Sequence, residues 1–214
     1  MSDSNVGRSP QQRLIALGGL AAIVGVAVLL LWAGGILGNQ GGGEGIEDVL
    51  VLDTQPAEGG GELQVGTQKG QLAPDFEISD FDGSRHTLSD FRGQVVYVNF
   101  WATWCGPCLI EMPDIAALQE EFGDDLAIIT VNRRETLDAA QAYFENLPLL
   151  DGGTGVSFTV DGMDPDDTLF DLYSALAMPS SFFVDPDGVI SIVGHGLISL
   201  DQMRTAINGA LDGA

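Results

Sequence analysis

The 214-residue chain contains only two cysteines, two histidines and one lysine. Two cysteines allow one intramolecular disulfide, which excludes a small module stapled by several bridges. The histidines form no ligand-spaced pair; only His86 and His195 could complete a tetrahedral zinc site begun by the cysteines. Basic residues number 8 against 31 acidic ones, a net charge of -23, so a cationic face for nucleic acid or anionic lipid is excluded. The acidity suits solubility, a saline setting or a basic partner, and composition does not choose among these. The glycines of 152–155 lack a phosphate-loop lysine, and Asp164, Asp166 and Asp167 lack EF-hand spacing.

Charge is missing altogether from 14–38, a run longer than the roughly 20 residues that cross a bilayer as a helix. Arg8 and Arg13 precede it and Glu44, Glu47 and Asp48 follow, which places 1–13 in the cytoplasm and the remainder outside it. A cleaved signal peptide is the competing reading, although its apolar core would be only about 7 to 15 residues. Residues 39–72 are rich in Gly and acidic residues and too poor in apolar ones to form a core, so a flexible tether is expected, with an apolar patch at 49–52 able to dock locally.

The organising stretch is 95–113, VVYVNFWATWCGPCLIEMP, which holds both cysteines. Residues 95–100 have the β-branched and aromatic composition of a strand buried on both faces, and 109–122 has helical spacing. Cys105 then sits where a helix starts, and unpaired N–H groups with the positive end of the dipole favour a thiolate there. Cys105 is the expected nucleophile. Cys108, three residues on and on the same helix side, is the expected resolving thiol. Gly106 is read as permitting close backbone approach and Pro107 as fitting the first turn. A purely structural bridge gains little, since so short a loop contributes about 2 kcal/mol in the chain-entropy account.

From residue 73 onward, alternation around Asp82-Gly83 predicts a hairpin. A strand at 126–131, a helix at 136–147, a short strand at 156–160 and a short helix through Leu176, capped by Asp164, Asp166 and Asp167, are expected next. Two strands at 180–184 and 189–193 flank Asp185-Pro186-Asp187-Gly188, and a helix at 200–211 follows a Ser199 cap. The β-α-β-α order is that of a sheet covered by helices.

Ala73-Pro74-Asp75-Phe76, the run from Val98 through Cys108, Glu111-Met112-Pro113 and Met178-Pro179-Ser180-Ser181-Phe182-Phe183-Val184-Asp185 together resemble the thioredoxin superfamily. More narrowly, they resemble its membrane-anchored TlpA/ResA-type thiol-disulfide oxidoreductases. The resemblance implies an α/β fold over 73–214, a thioredoxin-like three-layer α/β/α sandwich with an N-terminal β-hairpin and a central insertion within 122–179, preceded by one transmembrane helix. It makes Met178-Pro179 the cis-proline segment whose backbone pairs with an extended substrate, and Pro113 a kink proline. Trp104, Gly106 and Pro107 would belong to the substrate-facing surface, and Glu111 would relay the proton of Cys108. Asn99 replaces the buried acid of thioredoxin itself, which shifts that proton transfer to Glu111 or water.

By the same resemblance the chain reduces disulfides of extracytoplasmic proteins, apocytochrome c among them, and draws electrons from a membrane donor of the DsbD/CcdA type. It implies no cofactor and no resident metal. A copper-carrying or complex-assembling module and a thiol peroxidase are the alternatives. Copper carriers of this fold usually space their cysteines more widely, and a peroxidase needs its cysteine in a Pro/Thr-framed loop.

Overall fold

The computed structural model describes residues 49–54 and 63–213, within a compact unit spanning Glu47–Ala214. The expected span at 14–38 and the flanks that orient it lie outside the described residues. Among the described residues no helix is long and apolar enough to cross a membrane.

Strands β1 (Val49–Val51), β2 (Phe76–Ser79) and β3 (Arg85–Thr87) form a small antiparallel sheet in the order β1-β2-β3, and the expected hairpin turns at Gly83, whose φ is 85°. The main sheet contains β4 (Val95–Trp101), β5 (Leu126–Arg133), β6 (Val160–Asp164), β7 (Ser180–Val184) and β8 (Ile190–His195). Its order is β6-β5-β4-β7-β8, with β4, β5 and β6 parallel and β7 and β8 antiparallel to their neighbours. The helices are α1 (Gly106–Phe122), α2 (Leu137–Glu145), α3 (Thr168–Leu172) and α4 (Leu200–Asp212).

All seven residues of β4 are buried, as a strand covered on both faces requires. Its period of two sends Val95, Tyr97 and Trp101 to one face, among Met112, Ile115 and Leu118 of α1, Ala140 and Phe144 of α2, and Met203 and Ile207 of α4. Val96, Val98 and Phe100 meet Phe76, Ile78, Leu169 and Phe170 on the other. The second layer is therefore built from the short α3 together with the small sheet, rather than from long helices alone. Ser199 begins α4 with a capping box closed by Gln202, as its sequence suggests.

Three expectations change. The apolar patch at 49–52 docks as expected, pairing over Val49–Val51 as β1, whereas the tether reading fails at the end of 39–72, where Leu72 is buried and bridges Val189. The strand expected at 156–160 is instead Val160–Asp164, because its polar residues are satisfied by neighbours. Asp161 accepts from Thr130 at 3.0 Å, Ser157 at 3.2 Å and the Phe158 N–H at 3.2 Å, and a Cβ on Gly162 would lie 2.2 Å from Ile78 Cδ1. The capping helix ends at Leu172, short of Leu176. Asp164 caps it through the Leu169 and Phe170 N–H groups at 3.2 and 2.9 Å, whereas Asp167 binds Arg133 and Arg134 and Asp166 is exposed.

Candidate active site

Strand β4 ends at Trp101, and five residues later α1 begins, so both cysteines fall at the carboxyl end of the central strand. Cys105 is the N-cap of α1 and is disulfide-bonded to Cys108 with a Cα–Cα separation of 5.3 Å. Its sulfur accepts from the Cys108 N–H at 3.3 Å, one of the donors that a helix start leaves without an internal partner. Cys105 retains 5% exposure while Cys108 has none, an asymmetry that favours approach to the first cysteine.

Gly106 and Pro107 are exposed in the first turn. A Cβ at Gly106 would meet nothing within 4 Å, so the close approach expected there is not a steric requirement. The two tryptophans separate. Trp101 is buried and stacked on Phe144 with ring centroids 4.4 Å apart, and Trp104 is 58% exposed beside Cys105. Pro113 lies within α1 without dividing it.

Glu111 follows Cys108 by one turn on the inward side of α1 and is wholly buried. Asn99, alternating with Tyr97 and Trp101 on the face of β4 toward α1, donates from Nδ2 to Glu111 Oε1 at 2.8 Å. The same nitrogen lies 3.3 Å from Tyr97 Oη and 3.4 Å from Ser181 Oγ, and those two hydroxyls are 3.1 Å apart. Ser181 reaches this group because the antiparallel register sets it directly opposite Asn99. Among the described residues Glu111 Oε2 and Asn99 Oδ1 are buried and find no hydrogen-bond partner. Burial pushes the Glu111 carboxyl up to about 7, against the opposing pull of Asn99 and the Ile198 backbone. Burial also holds the Tyr97 phenol above its ordinary value, with Glu111 adding to the effect.

Met178-Pro179 is a cis peptide at the start of β7. The Pro179 carbonyl accepts from the Gly196 N–H at 2.8 Å, which pins the segment to the end of β8, and among the described residues no hydrogen bond engages the Met178 backbone. The antiparallel pairing of β7 with β4 puts this segment at the same end of the sheet as Cys105.

One participant is not legible in the motifs. Glu135, between β5 and α2, accepts from the Thr103 N–H at 2.7 Å and from the Thr103 hydroxyl, and Asn132 Nδ2 donates to it at 2.9 Å. It therefore clamps the loop that delivers Cys105. The parallel register, with Trp101 opposite Asn132, is the signal that marks the carboxyl end of β5 as a neighbour of that loop. Among the described residues no group of three or more His, Cys, Asp or Glu is arranged to hold a metal ion.

Residues 69–193, more than half of the chain, match the AhpC/TSA family. The chain belongs to that family. It is similar to the thioredoxin-like protein YneN of Bacillus subtilis, 31% identical over 152 residues that cover 68% of this chain and 82% of the relative. It is similar also to the thiol-disulfide oxidoreductase ResA of the same organism, 31% identical over 141 residues, 65% of this chain and 74% of ResA. Among solved structures, a Chlorobium tepidum protein described as a DsbE thiol:disulfide interchange protein superposes with a TM-score of 0.59 at 29% identity, over 68% of this chain and 99% of that one. This AhpC/TSA member thus has the thioredoxin-like fold and the thiol-disulfide oxidoreductase class that its motifs resemble.

Proposed function

We propose that this thiol-disulfide oxidoreductase of the ResA type reduces disulfides of extracytoplasmic proteins through Cys105 and Cys108, anchored to the membrane by 14–38. The observation that carries the reading is the asymmetry at the helix start, where Cys105 is the N-cap and keeps 5% exposure while Cys108 has none. In the reduced form the Cys105 thiolate attacks one sulfur of the partner's disulfide, forming a mixed disulfide and expelling the other partner sulfur as thiolate. Cys108, deprotonated toward Glu111, then attacks Cys105; the Cys105–Cys108 bond forms, the mixed bond breaks, and the partner leaves with both its cysteines reduced. Glu111 suits the proton transfer because its carboxyl titrates near 7 one turn from Cys108.

The Met178 backbone offers an edge for an extended partner segment, flanked by Trp104, Gly106 and Pro107. Partners include apocytochrome c in cytochrome c maturation, and a membrane donor of the DsbD/CcdA type resupplies the electrons. An insulin-reduction assay on the reduced protein, set beside a copper titration, separates this reading from a metal-carrying module: reduction with no tight copper binding supports it, and tight copper binding without reduction overturns it.

A further inference from the structure

A pocket of about 490 Å³ lies beside the docking segment, floored by Tyr173 and Phe182 and walled by Leu176, Ile192 and Val193. Its size and largely apolar lining are those of a ligand site. The rest of the lining is Ser174, Thr67, Gln68 and Lys69, so the only lysine of the chain is here, together with one of its two histidines, His195. In a molecule carrying 31 acidic residues, no acid among the described residues lines this pocket, although Asp53 lines the adjoining one that shares Thr67 and Ser174, and another surface pocket contains Asp80, Asp82, Glu145 and Asp161.

The walls are held in place. Gly70 donates to the Ile190 carbonyl at 2.8 Å and Ile190 to the Gln71 carbonyl at 2.9 Å, which fastens the Lys69 loop to β8. Ser180 Oγ donates to the Ala177 carbonyl at 2.8 Å and meets His195 Nδ1 at 3.0 Å, and Phe182 presents its ring edge-on to His195. Leu176, 83% exposed, is an apolar side chain that folding leaves in water. His195 at the pocket stands opposite Ser180 in the β7–β8 register, and its neighbour Gly196 donates to the Pro179 carbonyl at 2.8 Å, so the pocket adjoins the docking edge on the side of the sheet away from α1.

We propose that this pocket is a second recognition subsite, taking an apolar side chain flanked by a carboxylate on the polypeptide whose disulfide reacts at Cys105. This rests on the docking role given above to Met178-Pro179. The apolar side chain fills the space over Tyr173, Phe182 and Leu176, and the carboxylate meets Lys69. The net charge of -23 does not cancel that attraction, because exposed charges beyond the Debye length of about 8 Å at physiological salt are largely screened while Lys69 lines the pocket itself.

The test measures fluorescence anisotropy of labelled, cysteine-free peptides bound to the oxidised full chain, at physiological salt. The probes carry Leu beside Glu, Gln or Lys in an otherwise Gly/Ser sequence. Tighter binding of the Leu-Glu peptide is expected, by about 3-fold over Leu-Gln and about 10-fold over Leu-Lys, the scale of exposed charge pairs. Lys69→Glu should erase or invert that order, and Leu176→Asp should weaken all three. Equal affinities, or an order unchanged in Lys69→Glu, overturn the subsite. The same sequences, each given one added cysteine and carried as mixed disulfides with a neutral cysteine peptide, should show the same order in kcat/KM; exchange without that order overturns the link to the reaction. Failure to exchange with any of them counts instead against the oxidoreductase reading, while the binding order still decides the pocket.

Discussion

Asn99 donates to Glu111 at 2.8 Å across the seam between the central strand and the active-site helix. The hydroxyls of Tyr97 and Ser181 crowd the same amide nitrogen, so its donor end is turned toward the carboxylate. A polar residue in an otherwise apolar strand is thereby tied to the carboxylate one helical turn beyond the resolving thiol. Asn99→Ala removes the donor that stabilises the charged carboxylate, and the Glu111 titration followed by carbon NMR should move above about 7. A midpoint left in place would show that Asn99 does not tune it.

Glu111 also leaves a mark on stability. Its carboxyl titrates near 4.3 in an unfolded chain and at about 7 when folded, so the native state holds the proton more tightly between those values. Stability from this group is greatest below about pH 4, falls as pH rises to about 7 and is level beyond. Asp161, pushed by burial up to about 6, acts with the same sign over a narrower range. Glu111→Gln should lose the part of the slope that reaches pH 7 and keep the part due to Asp161. Chemical denaturation across pH 4 to 8 measures both. The variant's rate of thiol exchange should also lose its inflection near pH 7.

Glu135 holds Thr103 through two acceptor oxygens. Glu135→Ala should cost about 1–3 kcal/mol by leaving part-buried donors unmatched, and amide exchange at Thr103 should accelerate well beyond that at Ile128, deep in the core. Equal acceleration at both amides would mean general loosening and no specific hold on the loop.

Gly162 sits where a Cβ would strike Ile78, 2.2 Å from Cδ1 and 2.8 Å from Cγ1, between the small sheet and the main one. Gly162→Ala should destabilise by about 1–3 kcal/mol as overpacking, and Ile78→Ala in the same chain should recover part of that loss. Strictly additive effects in a thermal-melt double-mutant cycle would contradict the contact.

Most of the main sheet is legible because β4, β5 and β7 each carry a run of β-branched, aliphatic or aromatic residues, and the cysteines mark the helix start without ambiguity. Strand β6 is not, because Asp161 and Gly162 imitate a loop until Thr130, Ser157 and Ile78 are brought beside them. Glu111 and Asn99 each suggest a role from sequence, but their bond crosses from strand to helix and exists only in the packed fold. The Lys69 pocket is less visible still: it joins a stretch that composition describes as tether to a strand about a hundred residues away.

The central claim is that Cys105 attacks and Cys108 resolves. Reduced Cys108→Ala and Cys105→Ala variants, each mixed with a disulfide-linked peptide and analysed by mass spectrometry without reductant, test it directly. A stable adduct mapped to Cys105 in the first variant, with little or none at Cys108 in the second, is the predicted result. Equal trapping by both variants, or an adduct formed only through Cys108, would contradict it.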